Sequence, residues 1–180
     1  MSETAKVRWG VIGVKGGAVR ARACIGEHSE LLALCDINEE VLRQAAEALG
    51  CRYTFTDYQK MLELDELDAV FIATPDAYHC PMTIAALEAG KHVLCEKPMA
   101  VSMDEVHRML AAEERSGRQL GINQVLRTNP RFIQAHRMAR CGYLGEIFYA
   151  EADYWHNITH LIVGRRRGPS GAAHCHPVEH

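Results

Sequence analysis

The feature that most constrains this chain is a recurrence. Between Lys6 and Asn123 an apolar run of strand length is followed, time after time, by a stretch of helical length. The runs Lys6–Gly13, Leu31–Asp36, Cys51–Phe55, Asp68–Ala73, Lys91–Cys95 and Gln119–Asn123 read as strands. The segments between them carry helix signals. Gly50 ends the helix that opens at Asn38-Glu39-Glu40, and Ser102 with Glu105 forms a capping-box pattern before a helix that stops at Ser116-Gly117. Strands separated by helices pair in parallel through right-handed crossovers. The expectation is an α/β domain built on a doubly wound parallel sheet.

In such a sheet the ligand crevice lies beyond the carboxyl ends of the strands, so the residues just past each strand matter most. After the first strand comes Gly13-Val14-Lys15-Gly16-Gly17-Ala18. Strand, glycine turn and helix is the order that aims backbone N–H groups at a pyrophosphate. The match to Gly-x-Gly-x-x-Gly/Ala is imperfect, with Lys15 at the second glycine position and Ala18 as an allowed third. A simple glycine-rich turn is the plain alternative. The second strand ends in Asp36, where a carboxylate accepts from ribose hydroxyls and repels a 2′-phosphate. Ile37 and Asn38 offer no cation for that phosphate, which favours NAD over NADP. Asp36 also reads as a helix N-cap. The fourth strand ends in small residues, Ala73 and Thr74, followed by Pro75 and, one turn on, His79. The fifth ends in Glu96-Lys97-Pro98, an acid and a base on a turn stiffened by proline, for which a cis Lys97–Pro98 bond is expected.

Composition narrows the class. At 48% apolar, 24% charged and net charge −3, the chain fits a soluble globular protein. The acidity argues against a nucleic-acid surface, the only basic run being Arg165-Arg166-Arg167. No apolar run approaches a membrane helix, and Met1–Lys6 has no signal-peptide core. The seven cysteines are scattered, without a Cys-x-x-Cys pair, which suits a reducing cytoplasm.

Past Gln124 the pattern changes. Asn129-Pro130 opens a helix to Arg140, and Gly145–Trp155 reads as the first strand of a second sheet. Its apolar residues need a partner, so self-association is expected there. Five of the ten histidines fall between His156 and His180. A metal reading of His156-x-x-x-His160 with His174-Cys175-His176 is set aside, because adjacent ligands rarely converge on one ion.

The stretch Ala89-Gly90-Lys91-His92-Val93-Leu94-Cys95-Glu96-Lys97-Pro98, the turn Thr74-Pro75-Asp76-Ala77-Tyr78-His79 and Arg127-Thr128-Asn129-Pro130 together resemble the Gfo/Idh/MocA family of NAD(P)-dependent oxidoreductases. The resemblance implies a Rossmann domain over residues 1–127. It further implies, over 128–180, the beginning of an α/β domain with a mainly antiparallel sheet that serves substrate binding and oligomerisation. It implies hydride transfer between NAD and a sugar- or polyol-like secondary alcohol, with Lys97 beside nicotinamide and substrate. By the motif Gly-x-His-x-x-Asp it puts the acid/base histidine at His176 and Glu179 at the acidic place, with Ala172 as a departure where an Asp is expected four residues before the histidine. Cofactor contacts are expected from Gly13, Val14, Lys15, Gly16, Gly17, Asp36, Ile37, Thr74, Pro75, His79, Glu96, Lys97 and Gln124, with no metal. A dinucleotide-binding module without turnover is the competing reading.

Overall fold

The computed structural model describes residues 5–153 and Trp155. Its six strands are β1 (Val7–Ile12), β2 (Ser29–Cys35), β3 (Tyr53–Phe55), β4 (Ala69–Ile72), β5 (His92–Cys95) and β6 (Leu120–Ile122). They form one sheet in the order β3-β2-β1-β4-β5-β6, and every neighbouring pair is parallel. Helices α1 (Val14–Ala23), α2 (Glu39–Leu49), α3 (Tyr58–Leu62), α4 (His79–Glu88) and α5 (Met103–Ser116) make the crossovers. The order reverses direction between β1 and β4, which is the switch point of a doubly wound sheet. The Rossmann-like architecture is thus the one that the strand–helix recurrence implies.

Alternation along the strands builds two cores from consecutive residues. Val11, Leu34 and Phe71 pack on one face with Val14 and Ala21 of α1 and Leu42 of α2. Ile12, Cys35, Ile72 and Cys95 pack on the other with Met61, Leu62, Ala86, Leu87 and Ala112 from α3, α4 and α5. Phe71, Leu34 and Ile72 are essentially sealed from solvent, and burial of side chains of this size contributes about 1.5–3 kcal/mol each. The helix ends follow local chemistry. Asn38 Oδ1 accepts from Val41 N, Asp57 from Gln59 N, and Ser102 Oγ from Glu105 N. Glu105 reaches back to Val101 N, one residue before the cap. Gly50 and Gly117 close α2 and α5 at φ of 63° and 64°.

The last paired row of the sheet sets the position of everything functional. Phe55, Cys35, Ile12, Ile72, Cys95 and Ile122 align across it in that order. The next residue of every strand except β3 donates its N–H to a neighbouring strand's carbonyl. Asp36 bonds to Phe55, Gly13 to Cys35, Ala73 to Ile12, Glu96 to Ile72 and Asn123 to Cys95, at 2.7–3.2 Å. The carboxyl rim is therefore a fixed row of five residues, not a set of free loops.

The chain divides into two units between Phe132 and Ile133. All six strands belong to the first. Helix α6 (Pro130–Arg140) runs into the second, where Gly142 and Gly145 take positive φ in the turn that follows. The strand expected over Gly145–Trp155 is not formed among the described residues of that span. A strand exists only where its N–H and C=O groups meet a neighbouring ladder, and no other strand among the described residues of the second unit offers one.

Candidate functional site

The rim at the switch point begins with Gly13. It sits at φ 89°, and a Cβ there would lie 2.6 Å from the Ala73 carbonyl oxygen and 2.8 Å from its carbon. Only glycine lets β1 turn into α1 so close to the end of β4. Helix α1 starts at Val14, with no acidic residue of its own in its first turn and Arg20 and Arg22 in its last, so its positive end lies at the carboxyl rim of the sheet. Gly17 seats α1 on the sheet. A Cβ on it would stand 3.0 Å from Val11 Cγ1 and 3.1 Å from Ala73 Cβ. Ala18, read from the sequence as the third motif position, is exposed instead. The close approach falls one residue earlier, on the second of the paired glycines.

Asp36 is tied to this turn. Its Oδ2 accepts from Lys15 N at 3.1 Å and its Oδ1 from Asn38 N at 2.9 Å. The N-cap of α2 is Asn38, so the alternative reading of Asp36 as that cap does not hold. A local Asx turn and the Lys15 amide orient the carboxylate, and each oxygen keeps acceptor capacity. Lys15, at the second glycine position of the motif, is exposed. Ile37 stands 91% exposed beside it, a free apolar surface at the edge of the crevice.

On the far side of the switch point, Glu96 carries more partners than any other rim residue. Arg20 Nη2 of α1 donates to its Oε1 at 2.7 Å, Asn123 Nδ2 of the β6 rim donates to the same oxygen at 3.0 Å, and Lys97 N reaches Oε2 at 3.2 Å. The alternation explains the pairing. Cys95 faces the α4/α5 core, so Glu96 faces α1. The Glu96 side chain is only 14% exposed. Lys97 itself is exposed, forms no ion pair among the described residues, and is followed by a cis bond to Pro98, as expected. Gln124, next to Asn123, is exposed.

His79, expected to touch a cofactor, is fully buried. Its Nδ1 lies 2.7 Å from the Pro98 carbonyl oxygen and its Nε2 2.9 Å from that of Thr74. Both ring nitrogens are engaged by the protein, so this histidine ties the β4 turn to the β5 turn from behind. Thr74 Oγ1 contacts Met82 Sδ at 3.6 Å, and Pro75 is exposed at the mouth of the same turn. His176, with His156, His160, His174, Cys175 and Glu179, lies outside the described residues.

Burial gives the core thiols a structural role. Burial pushes Cys35 up to about 12 and Cys24 and Cys95 up to about 11, so none is a thiolate nucleophile at neutral pH. Six cysteines are free among the described residues. No group of three His, Cys, Asp or Glu side chains there could hold a metal, and no helix there is long and apolar enough to cross a membrane. Sequence reasoning missed Arg20, and also the Arg8–Asp68 fork at 2.8–2.9 Å near the amino end of β1 and β4. Opposite charges 60 positions apart carry no local signal.

The family described as "Oxidoreductase family, NAD-binding Rossmann fold" (GFO_IDH_MocA) matches residues 7–124. A curated relative, an α-N-acetylgalactosaminidase of Shewanella oneidensis, is 31% identical over 163 residues, covering 84% of this chain and 36% of the relative. Among solved structures, myo-inositol 2-dehydrogenase from Lactobacillus plantarum superposes with a TM-score of 0.75 at 29% identity, over 80% of this chain and 44% of that one. The WlbA dehydrogenase of Bordetella pertussis, in complex with NADH and UDP-GlcNAcA, gives 0.72 at 32% identity, over 79% and 44%. The chain spans less than half the length of these relatives.

Proposed function

Because the chain belongs to the Gfo/Idh/MocA oxidoreductase family, with its NAD-binding Rossmann fold, we propose that it forms the cofactor half of an enzyme that moves hydride between NAD and a secondary alcohol of a sugar or polyol. One observation carries the reading. Gly13, Asp36, Ala73, Glu96 and Asn123 form a single hydrogen-bonded rim at the switch point of the sheet. The cradle suits a dinucleotide, because glycine at 13 lets α1 start hard against the end of β4, which sets the amino end of the helix, with no acidic residue of its own, at the switch point.

Val14, Lys15, Gly16 and Gly17 then present the helix end to the pyrophosphate. Asp36 accepts from the adenosine ribose hydroxyls and disfavours a 2′-phosphate, so NAD is preferred over NADP. Ile37 supports the adenine, and Thr74, Pro75 and Gln124 border the nicotinamide side. NAD, when bound, supplies the hydride acceptor. Lys97 holds the substrate hydroxyl oxygen and takes part in moving its proton. Glu96 orients the turn that carries Lys97. Residues 128–180 begin a second domain for substrate and self-association, with His176 as the partner acid/base. Free thiols and the absence of a long apolar helix among the described residues are consistent with work in the cytoplasm.

Titration with NADH, with NADPH alongside, tests the cofactor half. Saturable NADH binding, with weaker NADPH, is expected, and no saturable binding of either overturns the reading. In the complete protein, NAD reduction over inositols, aldoses and nucleotide sugars tests the chemistry. Lys97→Ala is expected to keep NADH affinity within a few-fold while turnover falls by ~10²–10⁴. A dinucleotide module without turnover would bind NADH and reduce nothing.

A further inference from the structure

We propose that Arg20 is a positioning residue that keeps the Lys97 amine free by holding the Glu96 carboxylate away from it. The inference rests on the reading of Lys97 above and extends it to a side chain outside the cofactor cradle.

Glu96 and Lys97 are adjacent, and Glu96 Oε2 already reaches the Lys97 amide at 3.2 Å. With that oxygen so near the Lys97 backbone, a Glu96 carboxylate that nothing else holds can swing to the Lys97 ammonium. Here two donors take it, Arg20 Nη2 at 2.7 Å and Asn123 Nδ2 at 3.0 Å, both on Oε1. Asn123 brings a dipole, whereas Arg20 brings the neutralising charge. Lys97 correspondingly forms no ion pair among the described residues.

Arg20 is poorly placed to serve the pyrophosphate directly. It stands six residues past the helix start at Val14, which at 1.5 Å per residue is about 9 Å along the axis. Its side chain leans toward the helix N-terminus, as helical side chains do, and in doing so it meets Glu96 on the face that strand alternation assigns to α1. The arrangement connects the element that receives the phosphates to the turn that carries the amine. Its charge leaves the substrate-facing group unpaired, so Lys97 can give its hydrogen bonds to a substrate oxygen.

The test reads the amine itself and needs no turnover. Trace acetylation followed by peptide mass spectrometry gives the rate at Lys97 relative to exposed Lys60 in the same chain. In Arg20→Gln, Glu96 is released and captures the ammonium, and the relative rate falls about two- to fivefold, the scale of an exposed ion pair. Arg20→Lys restores the parent rate, because it keeps the charge. Arg20→Gln combined with Glu96→Gln also restores it, because no carboxylate remains to capture the amine. Arg20→Met repeats the first arm with an apolar stem, so a folding defect peculiar to glutamine does not blunt the result. An unchanged Lys97 rate in Arg20→Gln and Arg20→Met overturns the inference, and so does a slow rate that persists when Glu96 is also neutralised. Loss of NADH binding in the parent would instead sink the cofactor reading and leave this labelling pattern as it is.

Discussion

Substituting Gly13 by alanine isolates the close approach on which the cofactor cradle depends. Two terms add. The backbone sits at φ 89°, a region that costs an L-residue about 1–2 kcal/mol. The new Cβ also lands 2.6 Å from a backbone oxygen and 2.8 Å from a backbone carbon of Ala73, and neither can swing aside like a side-chain tip. Moving β1's turn away from β4 adds roughly 1–3 kcal/mol, typical of overpacking in a closed interior. The sum, ~2–5 kcal/mol, is a large share of the ~5–15 kcal/mol that holds a domain of this kind together. Gly50→Ala is the internal control, since φ is 63° there but nothing lies within 4 Å. It should lose only the conformational term, about 1 kcal/mol. Chemical denaturation of both variants, with NADH titration below the transition, reads the difference. Gly13→Ala is expected to be the less stable by at least about 1 kcal/mol and to lose most of its NADH affinity. Equal stability of the two, or parent-like NADH binding in Gly13→Ala, would refute the steric reasoning.

Other consequences are equally direct. Asp36→Ala should weaken NADH binding and narrow the gap to NADPH, because ribose hydroxyls lose an acceptor and a 2′-phosphate loses a repulsive neighbour; unchanged NADH affinity by titration sinks that role. His79→Phe removes the ring nitrogens that lie 2.7 Å from the Pro98 carbonyl oxygen and 2.9 Å from that of Thr74, and denaturation should record a loss of about 1–3 kcal/mol, whereas a parent-like midpoint would show that the tie is dispensable. The Arg8 fork lowers the Asp68 pKa, chiefly by side-chain hydrogen bonding. That contribution is therefore complete above the ordinary carboxylate value near 3.9 and is lost as pH falls through the lower folded value. The advantage of the parent over Asp68→Asn should be flat from pH 7 to about 5 and shrink only below about 4, and a loss already complete at pH 5 would contradict the depressed value.

The strands were legible because buried parallel strands write themselves as apolar runs, and Val11-Ile12, Leu34-Cys35 and Phe71-Ile72 each serve two cores at once. Gly13, Asp36 and Glu96 were legible for the same reason, since each follows directly on such a run, and Lys97 comes one residue later. What escaped was relational. Gly17, not Ala18, touches the sheet because the helix starts at Val14, and a spacing rule counted from Gly13 does not know where the first helical residue falls. Arg20 looked like one basic residue among several on α1; only the facing of Glu96 gives it meaning. His79 was placed near the crevice from its spot in the first turn, but the direction of its ring depends on the Pro98 turn 19 positions away. The segment Gly145–Trp155 carries aromatic and apolar residues at strand density, yet a ladder needs two sides.

The sheet order also says where the two halves of the first unit are joined. Strands β1 to β3 and β4 to β6 each assemble by short-range crossovers, and β1 against β4 is the only strand pairing between them. That seam brings together Trp9 and Ala69, Ile12 and Ile72, residues about 60 positions apart, so it is the contact with the largest loop to close and the last that chain entropy favours. Gly13 and Ala73 lie at one end of the seam and the Arg8–Asp68 fork at the other. A dinucleotide seated at the carboxyl end would therefore act as a rivet across the joint. Bound ligand should raise the unfolding midpoint by mass action, and amide protons of β1 and β4, buried on both sides, should show the largest gain in exchange protection.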